Sequence, residues 1–425
     1  MAAPPTPYAL ERNVKLYPLY EGLVNAYFWM PVFFLYFSEH LPLRQVLLLE
    51  AIYYATVVLL ELPSGYFSDR VGRRRTLLIS AAGLTLSYAL FFVGRGFGVF
   101  AIAQIFLAVG LSFKSGTDTA LHFDSLNGLG RADEYAAREA KANRNAMLGR
   151  AVAALGGGLA ATWQLHFAYG LSLLAALGTL AITLSFVEPA SPFQESMLRR
   201  GFVRQLGACI GQLTNRSLAW LFGFAVIMIV INHVPYEFYQ PYIDLLVRHR
   251  GLKLPGQGTP LLTGVITAVM MLLAAWATAH SIRLRDRIGL AATLLLTTGM
   301  QVVIMAAMGL WLHEVVVLLI LLRSVPAGMM KPPLHAAITP QVPQSLRATY
   351  LSMQSLAGRL SFAGVLAALS LAADPGGGTD WPAISFMSLI CAGLGATGFI
   401  LLVTTARFSL ARLRPSPAKN DHEVR

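Results

Sequence analysis

The feature that most restricts this chain is a succession of apolar runs with only short polar breaks between them. A helix of about 20 mostly apolar residues crosses the hydrocarbon core of a bilayer. Runs of that kind are centred within 17–38, 44–65, 76–94, 97–123, 142–164 and 168–187, then within 217–245, 260–281, 290–309, 312–337, 346–372 and 381–405. Charged residues make up 13% of the chain, against about 25% in an average soluble domain. A soluble protein of this length could not cover its surface from that supply. This excludes an ordinary soluble enzyme, a disordered chain and a secreted scaffold. The expected fold class is an all-α polytopic membrane protein with twelve transmembrane helices. Cys209 and Cys391 are too few for a disulfide framework. The segment before the first run holds three prolines with Glu11, Arg12 and Lys15. It does not read as a cleavable leader.

The run Glu188 to Arg216 is polar and proline-bearing, and it separates six spans from six. The expected organisation is a six-helix bundle over 1–187, a central linker over 188–216, a second bundle over 217–405 and a basic tail over 406–425. Two halves of six are the outline of a transporter built from repeats. With both termini placed inside, 22 of the 33 Lys and Arg fall in inner segments and five in outer loops. Such a bias orients a membrane protein with its positive loops in the cytoplasm. It accounts for the net charge of +12 without a nucleic-acid partner. The expected location is a bacterial inner membrane.

The loop between spans 2 and 3 carries a pattern. It reads Gly65, then Asp69-Arg70, then Gly72-Arg73-Arg74-Arg75, directly after Glu61-Leu62-Pro63-Ser64. Gly65 permits close helix packing, Gly72 permits a tight turn, and Asp69 can accept bonds from a helix N-terminus. The loop between spans 8 and 9 repeats part of it as Asp286-Arg287-Ile288-Gly289, with Ile282 where the first half has Gly65.

This loop resembles the signature of the major facilitator superfamily, and the twelve spans and central linker agree with it. The resemblance implies two six-helix bundles and a cytoplasmic gate formed in the outward-open state. It assigns the gate to Gly65, Asp69, Arg70, Gly72 and Arg73, with Asp124 as the acidic partner at the end of span 4. Arg347 marks the start of span 11, whose N-terminus Asp69 would meet. Asp286, Arg287 and Gly289 form the echo. The stretch Ser115 to Leu126 and the run Tyr236-Glu237-Phe238-Tyr239-Gln240-Pro241-Tyr242 are similar to a bacterial subgroup of permeases and drug or metabolite exporters.

Ionisable groups inside the spans are costly and mark pathways or partners. Lys114, Asp118 and His122 share one face of span 4. Lys114 and Asp118 either neutralise each other or serve substrate and proton. Glu21, Asn25 and Trp29 share a face of span 1. Span 7 holds Asn232, His233, Tyr236 and Glu237, with Pro235 and Pro241 expected to break the helix. Glu237 is the leading proton carrier, with Asp118, Glu21 and His233 as further candidates; an outer-vestibule carboxylate is the alternative for Glu237. Arg150, Arg323 and Lys331 join Lys114 as cavity candidates. They either pair with Asp118, Glu50 or Glu237 or favour an anionic or zwitterionic substrate. Tyr27, Trp29, Phe33, Tyr36, Tyr236 and Tyr239 either line a cavity or pack. Gly149 and Gly156-Gly157-Gly158 resemble the glycine-rich fifth helix of antiporters, though tight packing explains them as well.

No phosphate loop or metal-spaced cluster is visible, so no cofactor is expected and an enzyme is disfavoured. The expected protein is a monomer in contact with lipids, moving a small molecule by alternating access. The proton gradient is the expected drive and efflux by antiport the expected direction. Uptake by symport or uniport is the runner-up, and a non-transporting scaffold or receptor the remote one. Charge reversal at Asp69 is expected to abolish transport while leaving expression intact; flux through a well-expressed Asp69→Lys variant would remove Asp69 from the gate.

Overall fold

The computed structural model describes residues 5–189, 202–252, 258–343 and 346–410. The side chains of Leu62, Asp69, Ala136, Ala140, Ala348 and residues 202–206 lie outside that description. So do residues 190–201 of the expected linker and 411–425 of the expected tail.

Among the described residues, twelve spans thread the molecule. Span 1 comprises Pro7–Val24 and Phe33–His40, and span 2 is Leu43–Val71. Span 3 is Arg73–Val93, and span 4 comprises Phe97–Lys114 and Thr117–Gly128. Spans 5 and 6 are Tyr135–Ala160 and His166–Ser185. A linker helix, Phe202–Gln212, leads to span 7, Arg216–His249. Span 8 is Thr259–Ile288 and span 9 is Leu290–Leu310. Span 10 comprises Glu314–Leu321 and Val325–Ile338, and spans 11 and 12 are Arg347–Ala372 and Trp381–Ser409. Ten of these are apolar and long enough to cross a membrane unaided. Span 1 is interrupted at residues 25–32, and span 5 carries Arg138, Glu139, Lys141, Arg144 and Arg150. Sequence reading merged the first case into one run and trimmed the second to begin at 142.

Within the first half, span 3 packs on spans 4 and 6, and span 2 on span 4. Within the second, span 9 packs on span 12, span 8 on span 10, and span 7 on spans 11 and 12. The halves meet along two lines, span 2 against span 11 and span 5 against span 8. Small residues set these distances. A Cβ on Gly83 of span 3 would lie 3.2 Å from the Gly110 nitrogen of span 4. A Cβ on Gly158 of span 5 would lie 3.1 Å from the Gly264 Cα of span 8. Gly157 presses on the Phe28 carbonyl and Gly149 on the Gly22 carbonyl. The glycine run of span 5 is therefore occupied by backbone packing.

Span 7 corrects one expectation. Pro235 and Pro241 lie inside one uninterrupted helix. Each proline removes a donor and crowds the preceding turn, yet neighbouring helices hold such a helix together in a membrane protein. The interruptions fall elsewhere, at residues 25–32, 115–116 and 322–324.

The bundles are joined on the side opposite the termini. Ser38 Oγ lies 3.2 Å from Thr379 Oγ1, the Leu43 amide donates to the Gly377 carbonyl at 3.2 Å, and Ser370 Oγ donates to the Arg44 carbonyl at 2.9 Å. Gln240 of span 7 accepts from the Phe34 amide at 3.0 Å and donates to the Met30 carbonyl at 2.9 Å. Replacing Gly157 by Val is expected to lower the melting temperature in detergent, because overpacking costs about 1–3 kcal/mol or more. Gly393→Ala, where a Cβ meets nothing within 4 Å, should leave it unchanged or raise it.

Candidate functional site: a cavity between the bundles

Below the joined side lies a cavity of about 750 Å³ walled by both halves. It reaches toward the side of the termini as far as Leu111, His335 and Leu351. The broken stretch of span 1 supplies Tyr27, Trp29 and Met30, because chain that leaves the helix can turn its side chains inward. Trp29 Nε1 donates to Tyr88 OH at 3.2 Å. Trp29 thus reaches the cavity from a turn rather than by continuing the helical face of Glu21 and Asn25. Span 2 supplies Glu50, Tyr53 and Tyr54. Glu50 is 5% exposed and its Oε1 accepts from Gln104 Nε2 at 2.8 Å. Sequence reading treated Glu50 only as a partner for buried arginines. Its position in the middle of an apolar run was the signal that it belonged in the wall.

The second half supplies the cations. Arg323, Lys331 and Arg359 all line the cavity. Arg359 Nη1 is 3.0 Å from Glu61 Oε2, an ion pair across the bundle interface. Arg323 lies over two tyrosine rings, with its guanidinium carbon 5.2 Å from the centre of Tyr236 and 5.1 Å from that of Tyr239. Asn232 and His233 also face the cavity. His233 Nδ1 meets the Ile229 carbonyl at 2.6 Å, and its ring packs on Tyr54 and Phe362. Glu237 is fully buried, and neither carboxylate oxygen has a hydrogen-bond partner. Glu237 is not among the residues that line the cavity. Phe33 and Tyr36 do not line the cavity. Both are about 1% exposed and pack among rings, with Tyr36 OH donating to the Phe91 carbonyl.

Three expected cavity residues lie elsewhere. Asn25, Lys114 and Arg150 join Glu21 and Asp118 in a polar network inside the first bundle, away from the cavity wall. Lys114 Nζ is 2.7 Å from Asp118 Oδ2 and 3.5 Å from Glu21 Oε1. Asn25 Nδ2 donates to Glu21 Oε2 at 3.0 Å, and Arg150 Nη2 donates to Asn25 Oδ1 at 2.7 Å. Helical spacing put these groups on common faces, but it could not say which way those faces turn. His122, one turn beyond Asp118, meets Glu139 at 2.9 Å and stacks on Tyr17.

The signature loop lies on the side of the termini. Gly72 joins spans 2 and 3 at φ +110°, where a side chain is strained. Gly289 takes the same conformation between spans 8 and 9, at φ +87°. Arg73 Nε is 3.5 Å from Asp124 Oδ2, and its Nη1 donates to Ser68 Oγ at 2.9 Å. The side chain of Asp69 lies outside the described residues. Arg70 stacks on Tyr66, and Arg347 Nε donates to the Val342 carbonyl at 3.1 Å. Asp286 pairs with its neighbour Arg285 at 2.6 Å, beside Arg287. Gly65 corrects another expectation, because a Cβ there would meet nothing within 4 Å.

The N-terminus of span 3 is held by an acid that sequence reading missed. Glu188 accepts from the Arg73 amide at 2.6 Å and the Arg74 amide at 2.9 Å. A carboxylate suits the positive end of a helix. Burial pushes its carboxyl above the ordinary carboxylate value, and the two amide bonds oppose that shift. The folded chain therefore holds this proton more tightly than the unfolded chain. The group's contribution to stability is full at low pH and falls as pH rises through its folded value. Glu188→Gln is expected to remove that slope, and Glu188→Ala to lower the melting temperature throughout; melts between pH 4 and pH 8 check both.

The model of the Major Facilitator Superfamily matches residues 22–365. A search of curated proteins finds no match. Among solved structures, the nucleoside transporter NupG superposes with a TM-score of 0.74 at 12% identity, over 94% of this chain and 99% of that one. A D-xylose-proton symporter gives 0.64 at 14%, over 90% and 96%. A bacterial homologue of the human lysosomal transporter Spinster, inward-facing and unoccupied, gives 0.66 at 14%, over 97% and 98%. Twelve spans in two halves, a shared cavity between them and the family match over most of the chain lead to one statement: this protein belongs to the major facilitator superfamily and is a secondary transporter, not an enzyme.

Proposed function

We propose that the chain couples movement of a small organic molecule to protons, working as a monomer without a cofactor in a bacterial inner membrane, with both termini in the cytoplasm. The observation that carries the coupling is Glu237. A carboxylate sealed from solvent with two unpartnered oxygens is costly as an anion. It is tolerable when neutral, or when a cation comes to it. Arg323 lines the cavity and lies over the rings of Tyr236 and Tyr239, which stand beside Glu237 in span 7. A proton on Glu237 releases Arg323 to the cavity, and loss of that proton draws the arginine back. Two discrete arrangements of one charge pair give protons a hold on the equilibrium between states. The bundles rock about this site, with the loop of Gly65, Asp69 and Arg73 as the gate on the side of the termini.

Export is the direction we favour, from the likeness of the span 4 and span 7 segments to exporters. Its second support, the glycine run of span 5, is accounted for by packing on spans 1 and 8. Uptake by symport is the second reading, favoured by the D-xylose-proton symporter among the fold neighbours. In proteoliposomes with an imposed pH gradient, Glu237→Gln is expected to lose gradient-driven accumulation and keep exchange of substrate across the membrane. Unaltered accumulation would remove Glu237 from coupling, and the side to which acid drives substrate settles the direction.

A further inference from the structure

We propose that the cavity takes an organic anion, a carboxylate or phosphate on a flat apolar body, and that Arg323 clamped by Tyr236 and Tyr239 is its anion-binding group. This rests on the transporter reading and names the substrate class of the same site. Electrical balance of the walls points there. Of the three cations in the wall, Arg359 is already neutralised by Glu61 at 3.0 Å. Among the described residues no carboxylate lies within ion-pair distance of Arg323 or Lys331. The carboxylate in the opposite wall, Glu50, is engaged by Gln104. The second half therefore presents Arg323 and Lys331 to the cavity without an ion pair, with Glu237 buried nearby in span 7, and the first half presents one acid engaged by Gln104.

Arg323 is also unsatisfied in itself. Its Nε is sealed from solvent and has no hydrogen-bond partner. A buried donor left unpaired is a cost that a ligand can remove. The tyrosine faces hold the guanidinium in place, leaving its planar fork to meet a bidentate oxyanion. The backbone adds to this. Span 10 breaks at residues 322–324 and restarts at Val325 with Pro326 in the first turn. Ser324 and Ala327 at that restart line the cavity. The start of a helix carries partial positive charge, so guanidinium and helix end favour an anion together. Opposite them, Trp29, Tyr53 and Tyr54 offer flat apolar surface for the rest of the molecule.

The test is binding in detergent without any gradient, read as ligand-dependent melting temperature with naphthoate, naphthyl phosphate, naphthamide and naphthylmethylamine. Both or either of the two acids should stabilise the protein well above the amide and the amine. Their ranking assigns carboxylate or phosphate. Arg323→Gln should weaken the preferred acid roughly tenfold or more, and Arg323→Lys should restore part of the affinity. Should Arg323→Gln fail to fold, Tyr239→Leu loosens the clamp and reads the same affinity. The proposal is overturned if neither acid shifts the melt, if the amine binds as tightly as the acids, or if Arg323→Gln holds the acid unchanged. Anion binding with no proton-driven flux would overturn the coupling reading and leave this one standing; the reverse result overturns this one alone.

Discussion

Charge is expensive where water is scarce, and that constraint orders this molecule. Lys114 stands in an apolar helix with Asp118 at 2.7 Å and Glu21 at 3.5 Å. Arg150 reaches Asn25, and Asn25 reaches Glu21, so one network binds spans 1, 4 and 5. Arg359 crosses between bundles to Glu61. Removing one member of such a set leaves a stranded charge, which costs more than the pair ever contributed. Against this background the unpaired groups stand out. Glu237 is fully buried with both carboxylate oxygens unpartnered, and half-buried Arg323 has a sealed, unpartnered Nε. Such exceptions call for an explanation, and the proposals above place proton and ligand at them.

The interrupted helices follow the same constraint. Spans 1, 4 and 10 break at residues 25–32, 115–116 and 322–324. Irregular backbone is tolerated at membrane depth only where protein or a cavity surrounds it. The breaks in spans 1 and 10 both contribute side chains to the cavity. Span 7 reaches the same place without a break, since its prolines stay within one helix. These three spans therefore reach the cavity by two routes, and only the broken ones also bring helix ends to it.

The fold was legible because length and apolarity suffice to count spans, and a fixed spacing of Gly, Asp and Arg identifies the loop after span 2. The site was partly legible. Tyr236, Arg323 and Lys331 lie where intramembrane cost placed them, in the cavity wall. Lys114 and Arg150 were equally costly, yet they face a network within the first bundle. Helical spacing tells which residues share a face and is silent on the neighbour that face meets. Glu188 was invisible for another reason: its role depends on a helix N-terminus more than a hundred residues away in the chain. The glycines of span 5 were ambiguous between motif and packing until their neighbours were known.

Those glycines have a mechanical consequence. Helices usually lock when ridges of side chains enter the grooves of a neighbour, and sliding or tilting then requires teeth to disengage. At the crossing of spans 5 and 8, Gly158 meets Gly264 backbone to backbone, with Ala154 alongside. This contact between the two halves has no teeth. In the rocking proposed above it would serve as a smooth bearing, letting one bundle roll against the other without disengaging side chains there. The free energy separating the two ends of the motion is then set by the polar contacts at the mouths and by what occupies the cavity.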